Sequence, residues 1–185
     1  MLFSDKNYTK TLILSILLCV AMIIFGLIYN IVFNLKSEEK LVDDIIDDGI
    51  ATIFNYKAYD GKNAAAIASR YISTNSTEYK SLISSSNNIL DNNLSLKERY
   101  KNFNSINKDI DNISLLLFDN IEFNNSIKDK NLWEMLRLEV ADLSNSDVIE
   151  KYNTAAKTFN DKLSSPFFGF GGKLFFMQEY EYLVE

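Results

Sequence analysis

The chain has 185 residues and a formal net charge of −6, and it contains no His and one Cys, Cys19. An acidic protein is not attracted to nucleic acid, so we expect no nucleic-acid partner. The lack of His removes the commonest metal ligand and general base, and one Cys excludes an internal disulfide.

The first element is an apolar run between Lys10 and Lys36 that contains no charged residue. About 20 apolar residues, each rising about 1.5 Å in a helix, cross a hydrocarbon core of about 30 Å. We therefore predict one membrane-spanning helix over residues 11–35, preceded by a short polar tail over residues 1–10. The chain is expected to cross the membrane once.

The residues around this run favour a retained anchor over a cleaved signal peptide. A signal peptide has a shorter apolar core and small residues before its cleavage site, whereas this run ends through Tyr29 and Asn30. Two lysines lie within ten residues of the run on its N-terminal side, and Lys36 and Lys40 follow it. Because these counts are equal, the positive-inside rule leaves open which side the rest of the chain faces.

Beyond residue 35 the apolar residues recur at steps of three and four, which is typical of helices, and no sustained alternation indicates a strand. The first pattern continues out of the span without a breaker and is predicted to end at the turn dipeptide Asp60-Gly61. The second pattern runs over residues 62–92. Its stretch Ser73–Thr77 is poor in helix formers.

The third pattern begins with a predicted capping box, in which Ser95 and Glu98 each satisfy an amide of the other. It continues as a heptad seam, which requires a partner helix. The seam comprises Leu96, Tyr100, Phe103, Ile106, Ile110, Ile113 and Leu117. The fourth pattern is predicted to open at Asn131, to contain Trp133 as a core residue, and to stop at Ser164-Ser165-Pro166.

These elements predict an all-α protein, with an N-terminal transmembrane helix followed by an elongated antiparallel four-helix bundle. The bundle is assigned to residues 36–165. Residues 166–185 are assigned to an aromatic C-terminal tail that packs on the bundle.

An acidic cluster and a glycine-rich segment are the two features with possible ligand chemistry. Carboxylates of the cluster stack at i, i+4 on a helix and can bind a divalent cation, but a solvated acidic face is the favoured interpretation. The cluster comprises Asp43, Asp44, Asp47 and Asp48. In FGFGGK, Lys173 is followed by Leu174 instead of Ser or Thr, so a phosphate loop is disfavoured. The glycines are expected to let the chain reverse after the fourth helix.

The tail is rich in aromatic residues that can either dock on a partner or a membrane, or fold back and seal one end of the bundle. The second interpretation is favoured, since many exposed rings promote aggregation. These residues are Phe167, Phe168, Phe170, Phe175, Phe176, Tyr180 and Tyr182. No spacing of Ser, Lys or Tyr suggests a nucleophile with its base. We therefore assign no catalytic residue, no cofactor-binding residue, no metal ligand and no cofactor.

A C-terminal pattern resembles the signature of the LemA family, which runs Tyr-Asn, a second aromatic-Asn, an aliphatic residue, Pro, Gly-Phe and a closing Phe. The matching residues are Tyr152-Asn153, Phe159-Asn160, Leu163, Pro166, Gly169-Phe170 and Phe175-Phe176. Ser165 stands where the family usually has Phe, so the chain resembles a divergent member. The resemblance implies a bacterial, membrane-anchored, elongated four-helix bundle without an established catalytic activity.

The functional prediction is a single-pass protein of the bacterial cell membrane that acts as a non-enzymatic scaffold or accessory factor. Its partners would be membrane or envelope proteins, which the sequence does not identify, and its oligomeric state is left open. The alternative is a membrane-tethered ligand-sensing four-helix module. An enzyme is the least favoured class, since the domain lacks His and Cys.

Overall fold

The computed structural model describes the backbone of residues 5–184 and the side chains of residues 8–184. Within residues 5–184 every regular element is a helix and no strand occurs, so the predicted all-α class is confirmed. The elements are α1 (Asp5–Asp44), a π-helical segment (Ile45–Ile50), α2 (Ala51–Ala68), α3 (Thr77–Asn88), α4 (Leu96–Phe118), α5 (Ile121–Asn125), α6 (Ile127–Ser144), α7 (Val148–Ser164) and α8 (Pro166–Leu174).

The N-terminal helix continues from the apolar run through α2, over Tyr8–Ala68, without a break. The predicted end at Asp60-Gly61 is therefore wrong. Gly61 is buried within α2, where a Cβ would collide with the side chain of Ser86 on α3 and approach Ile106 on α4 at 3.2 Å. The glycine permits close helix packing here and does not form a turn.

The chain divides into two compact units. The first comprises residues 5–41 and 157–180, and the second comprises residues 42–156 and 181–184. In the second unit α2 packs against α3, α4 and α6, and α4 packs against α3 and α6. The domain boundaries predicted at residues 10, 35 and 165 stay predictions.

Helix α4 supplies much of the core of the second unit. Its capping box is present, since Ser95 Oγ accepts from the Glu98 amide at 3.2 Å and a Glu98 carboxylate oxygen accepts from the Ser95 amide at 2.9 Å. Six of the seven seam residues are buried, and Leu96 at the start is half-buried. Trp133 is fully buried and its indole N–H donates to Ser114 Oγ at 3.0 Å. The heptad prediction and the core assignment of Trp133 are confirmed.

The second and fourth predicted helices are each interrupted. The second is replaced by the end of α2, a turn region over 69–76 and the shorter α3. The fourth consists of α6 and α7, separated at residues 145–147. The run Ser144–Asp147 is made of Ser, Asn and Asp, whose side chains compete for backbone groups, and Ser146 Oγ accepts from the Val148 amide at 3.3 Å.

In the first unit, α7 ends at Ser164 as predicted, and α8 begins at once. Ser165 caps α8 by accepting from the Phe168 amide at 3.4 Å, and Pro166 occupies its first turn. The glycines of FGFGGK therefore lie in a helix, all without positive φ, and do not themselves form a turn.

Candidate functional site

The two sequence features considered for ligand chemistry are an exposed acidic face and a helical segment. The four carboxylates of the acidic cluster are all exposed at the end of α1 and in the π-helical segment. Among the residues with described side chains, no group of three or more His, Cys, Asp or Glu is arranged to hold a metal ion. FGFGGK is helical and places Gly171 and Gly172 in buried positions, unlike a loop that wraps a phosphate.

A polar cluster that the sequence did not predict lies between α2, α4 and α6 of the second unit. The side chain of Lys57 is fully buried. Its amine donates to Ser144 Oγ and lies 3.8 Å from the centroid of the Phe103 ring. Asn107 Nδ2 also donates to Ser144 Oγ, at 2.9 Å. The Ser144 hydroxyl thus hydrogen-bonds to a lysine, to an asparagine and to a backbone carbonyl of its own helix.

Burial lowers the pKa of Lys57 from 10.5 to about 7, because the charged ammonium loses its hydration. No acidic side chain forms a salt bridge with it in the described part of the chain. Near neutral pH the amine therefore exchanges between its neutral and its charged form. A neutral lysine beside a serine has the composition of a base with a nucleophile.

The geometry of Ser144 opposes that use. Its hydroxyl donates to the Val140 carbonyl at 3.2 Å, within its own helix, while its oxygen accepts from Lys57 and Asn107. The hydroxyl is half-buried, and both of its acceptor positions are occupied. The cluster is therefore best explained as a polar contact inside the bundle.

The periodicity of α2 contained a signal for the burial of Lys57. It follows Phe54 by three residues and precedes Gly61 by four, and both are buried. The helix was predicted to end at Asp60-Gly61, and this face was not part of its predicted apolar stripe. A lysine between apolar residues on one face of a helix therefore indicated a buried amine, and the structure shows its partners.

A second polar contact joins the turn region that follows α2 to α6. One guanidinium nitrogen of Arg70 lies 2.9 Å from both carboxylate oxygens of Asp129, and the Tyr71 hydroxyl donates to the same carboxylate at 2.6 Å. The pKa of Asp129 is lowered, first by the Tyr71 hydrogen bond and then by Arg70, against an opposing effect of burial. The Asp129 carboxylate is thus held by one cation and one hydroxyl, as in a structural ion pair.

The aromatic-Asn pairs of α7 hold the C-terminal segment. In the second unit Asn153 donates to the Leu183 carbonyl at 2.7 Å and accepts from the Leu183 amide at 2.8 Å. In the first unit Asn160 makes the same pair of bonds to Tyr180, both at 2.9 Å. Each asparagine thus pairs with one residue's backbone as a neighbouring strand would.

Tyr152 and Phe159, the aromatic residues of these pairs, also contact the C-terminal segment. We call the hydrogen-bond pairs of Asn153 and Asn160 the clamps. The Tyr152 hydroxyl donates to the Glu181 carbonyl at 2.7 Å, and burial, followed by the charge of Glu181, raises the pKa of Tyr152 to about 12. Phe159 packs edge-on against the Tyr180 ring, with centroids 5.3 Å apart. The residues that resemble the family signature therefore have a structural role in fixing residues 180–183.

The apolar run is a surface that the described part of the protein leaves uncovered. One helix, over Tyr8–Ala68, is long and apolar enough to cross a membrane, and its most apolar window has a mean hydropathy of 2.9. None of that window is buried by the rest of the protein. A core helix of a soluble domain would be covered by its neighbours, so this surface requires another environment.

The rings of α8 and the following residues form a second exposed apolar surface. Phe167, Phe170 and Phe176 are 74%, 61% and 90% exposed, so the interpretation that these rings fold back is wrong for them. Tyr180 does fold back on Phe159.

No family model matches the chain, and no curated protein or solved structure shows significant similarity to it.

Proposed function

We propose that the chain is a single-pass, membrane-anchored helical protein that acts as a non-enzymatic scaffold or accessory factor through contacts with other membrane or envelope proteins. The observation that carries the proposal is the apolar window of mean hydropathy 2.9 with no part buried by the protein. Leaving such a surface in water would cost about 25 cal/mol for each Å² of apolar area. A bilayer removes that cost.

A surface of the second unit supports the proposed protein contacts. It lies where α4, α5 and α6 follow one another, and we call it the turn patch. Its side chains are Leu115, Phe118, Ile121 and Ile127, which are 68%, 41%, 76% and 75% exposed. Apolar side chains left exposed at successive helix ends are candidates for contact with a partner protein.

Membership of the LemA family is part of the proposal. It is supported by the residues of the resemblance, since Asn153 and Asn160 each pair with the backbone of the C-terminal segment. A shared way of fastening that segment would explain why these residue types occur at this spacing. The bacterial cell membrane is the corresponding proposed location.

The proposal is tested by crosslinking in the cells that make the protein, followed by purification in detergent. We expect specific membrane or envelope proteins to be recovered with the wild-type chain. The variant Ile121→Asp/Ile127→Asp should lose them, whereas Leu138→Asp, at a site 66% exposed on α6, should retain them. Recovery of the same proteins by all three chains, or of none by the wild type, would contradict the scaffold function.

A further inference from the structure

Helix α8 has two different faces in the first unit. Gly171 and Gly172 are buried, and a Cβ added to Gly171 would collide with Ile31 of α1. The glycines therefore allow close contact with α1. The residues of the adjacent face are spaced for one side of a helix and remain exposed. They are Phe167, Phe170 and Leu174, which are 74%, 61% and 49% exposed.

The end of α8 adds a further exposed ring. The Met177 amide donates to the Gly172 carbonyl at 3.0 Å and the Phe176 amide to the Lys173 carbonyl at 3.4 Å, which is a Schellman motif. Phe176 occupies its left-handed position with φ of 54°, where glycine is favoured. Its ring is 90% exposed. A strained residue with a ring outside the fold contributes nothing to internal packing.

The exposed face of α8 is continuous with the apolar surface of α1. Ile24, Leu27, Ile28 and Ile31 line a groove of about 380 Å³ together with Pro166, Phe167 and Phe170. Lys173 is the one charged residue between Pro166 and Met177. The backbone of α8 is hydrogen-bonded within the helix and at its C-terminal cap, as hydrocarbon requires.

We infer that α8 lies against α1 within the same bilayer, with the rings of Phe167, Phe170 and Phe176 among the lipid acyl chains. The inference rests on the proposed membrane anchor. We favour lipid over protein as the occupant of the groove. The α1 residues that line it belong to the apolar run, which the proposed anchor exposes to lipid. Lys173 can extend its ammonium to the headgroups. With a single cation, this face needs no anionic lipid, so phosphatidylcholine suffices.

The test is nitroxide spin labelling of the full-length chain in phosphatidylcholine vesicles. Cys19→Ala removes the one native thiol, and single cysteines are then introduced as Phe170→Cys, Ile23→Cys or Leu138→Cys. The three sites are matched in exposure, at 61%, 63% and 66%, and differ in place: on α8, in the apolar run and on α6. Collision with oxygen reports lipid, and collision with a water-soluble nickel chelate reports solvent.

We expect the label at position 170 to be relaxed by oxygen more than by nickel, as at position 23, and the reverse at position 138. A label at 170 that prefers nickel, or that neither reagent reaches because protein covers it, overturns the inference while position 23 still reports lipid. If position 23 prefers nickel, the proposed anchor itself fails. A label at Phe167→Cys, on the same face of α8, should show the same preference for oxygen, so the result does not depend on one substituted site.

Discussion

Replacing Lys57 with Met should change how the stability of the second unit depends on pH. Lys57 is fully buried with its amine against Ser144 and the Phe103 ring, and methionine has a similar length without a charge. The pKa of Lys57 falls from 10.5 in the unfolded chain to about 7 in the fold. Between these values the unfolded chain binds more protons, so the free energy of unfolding rises with pH.

The size of the effect follows from the shift. A displacement of about 3.5 pKa units at about 1.4 kcal/mol each gives an upper bound of about 5 kcal/mol for the cost of burying the charged form. The benefit of deprotonation is absent well below pH 7 and increases towards pH 10.5. From pH 7 to pH 9 the wild type should gain about 2 kcal/mol that Lys57→Met does not gain.

Denaturant unfolding of the full-length protein in detergent micelles measures this difference. Trp133 is the one tryptophan and is buried in the same unit, so its fluorescence reports unfolding of that unit. At pH 6 we expect Lys57→Met to be more stable than the wild type. Lys80→Met, at an exposed lysine of α3, should keep the wild-type pH dependence. Parallel pH profiles for wild type and Lys57→Met would refute the argument that Lys57 is buried and titrates near neutral pH.

Further predictions concern packing, the clamps, the cap and Ser144. Gly61→Ala should destabilise the second unit by about 1–3 kcal/mol in the same unfolding assay, since its Cβ meets Ser86, whereas Gly26→Ala meets nothing within 4 Å and should be neutral. Asn160→Ala should increase hydrogen exchange at the Tyr180 amide, and Asn160→Asp, which keeps the acceptor for that amide, should increase it less. Ser95→Ala should lower the free energy of unfolding by about 1 kcal/mol through loss of the α4 cap. A fluorophosphonate probe should leave Ser144 unlabelled, and labelling abolished by Lys57→Met would instead indicate a catalytic pair.

The parts of the fold that could be predicted from the sequence depend on neighbouring residues. The heptad seam of α4 and its Ser95–Glu98 capping box are set within one or two helical turns, and both are present. The stop at Ser164 likewise depends on a local Ser-Pro signal. Local patterns of this kind identify a helix without knowledge of what it packs against.

The errors arose where distant residues decide the local structure. Asp60-Gly61 has the composition of a turn, but the contact of Gly61 with Ser86 on α3 makes glycine suitable for a close helix pair. The breaks in the second and fourth patterns fall at Ser- and Asn-rich runs, where side chains bind the backbone locally. The apolar stripes continued on both sides, and periodicity alone therefore joined the helices.

The candidate sites were missed for the same reason. The burial of Lys57 depends on Phe103 and Ser144, which belong to other helices. The hydrogen bonds of Asn153 and Asn160 reach 30 and 20 residues along the chain. Family resemblance drew attention to these asparagines, but only the structure shows what they bind.

The most direct test of the membrane anchor is the intact mass of the protein recovered from cell membranes after alkaline carbonate extraction. The apolar window has no cover within the protein, so we expect the membrane pellet to contain the whole chain of 21.2 kDa, with residues 11–35 retained. A shorter product that lacks those residues and appears in the soluble fraction would contradict the anchor, and with it the proposed function.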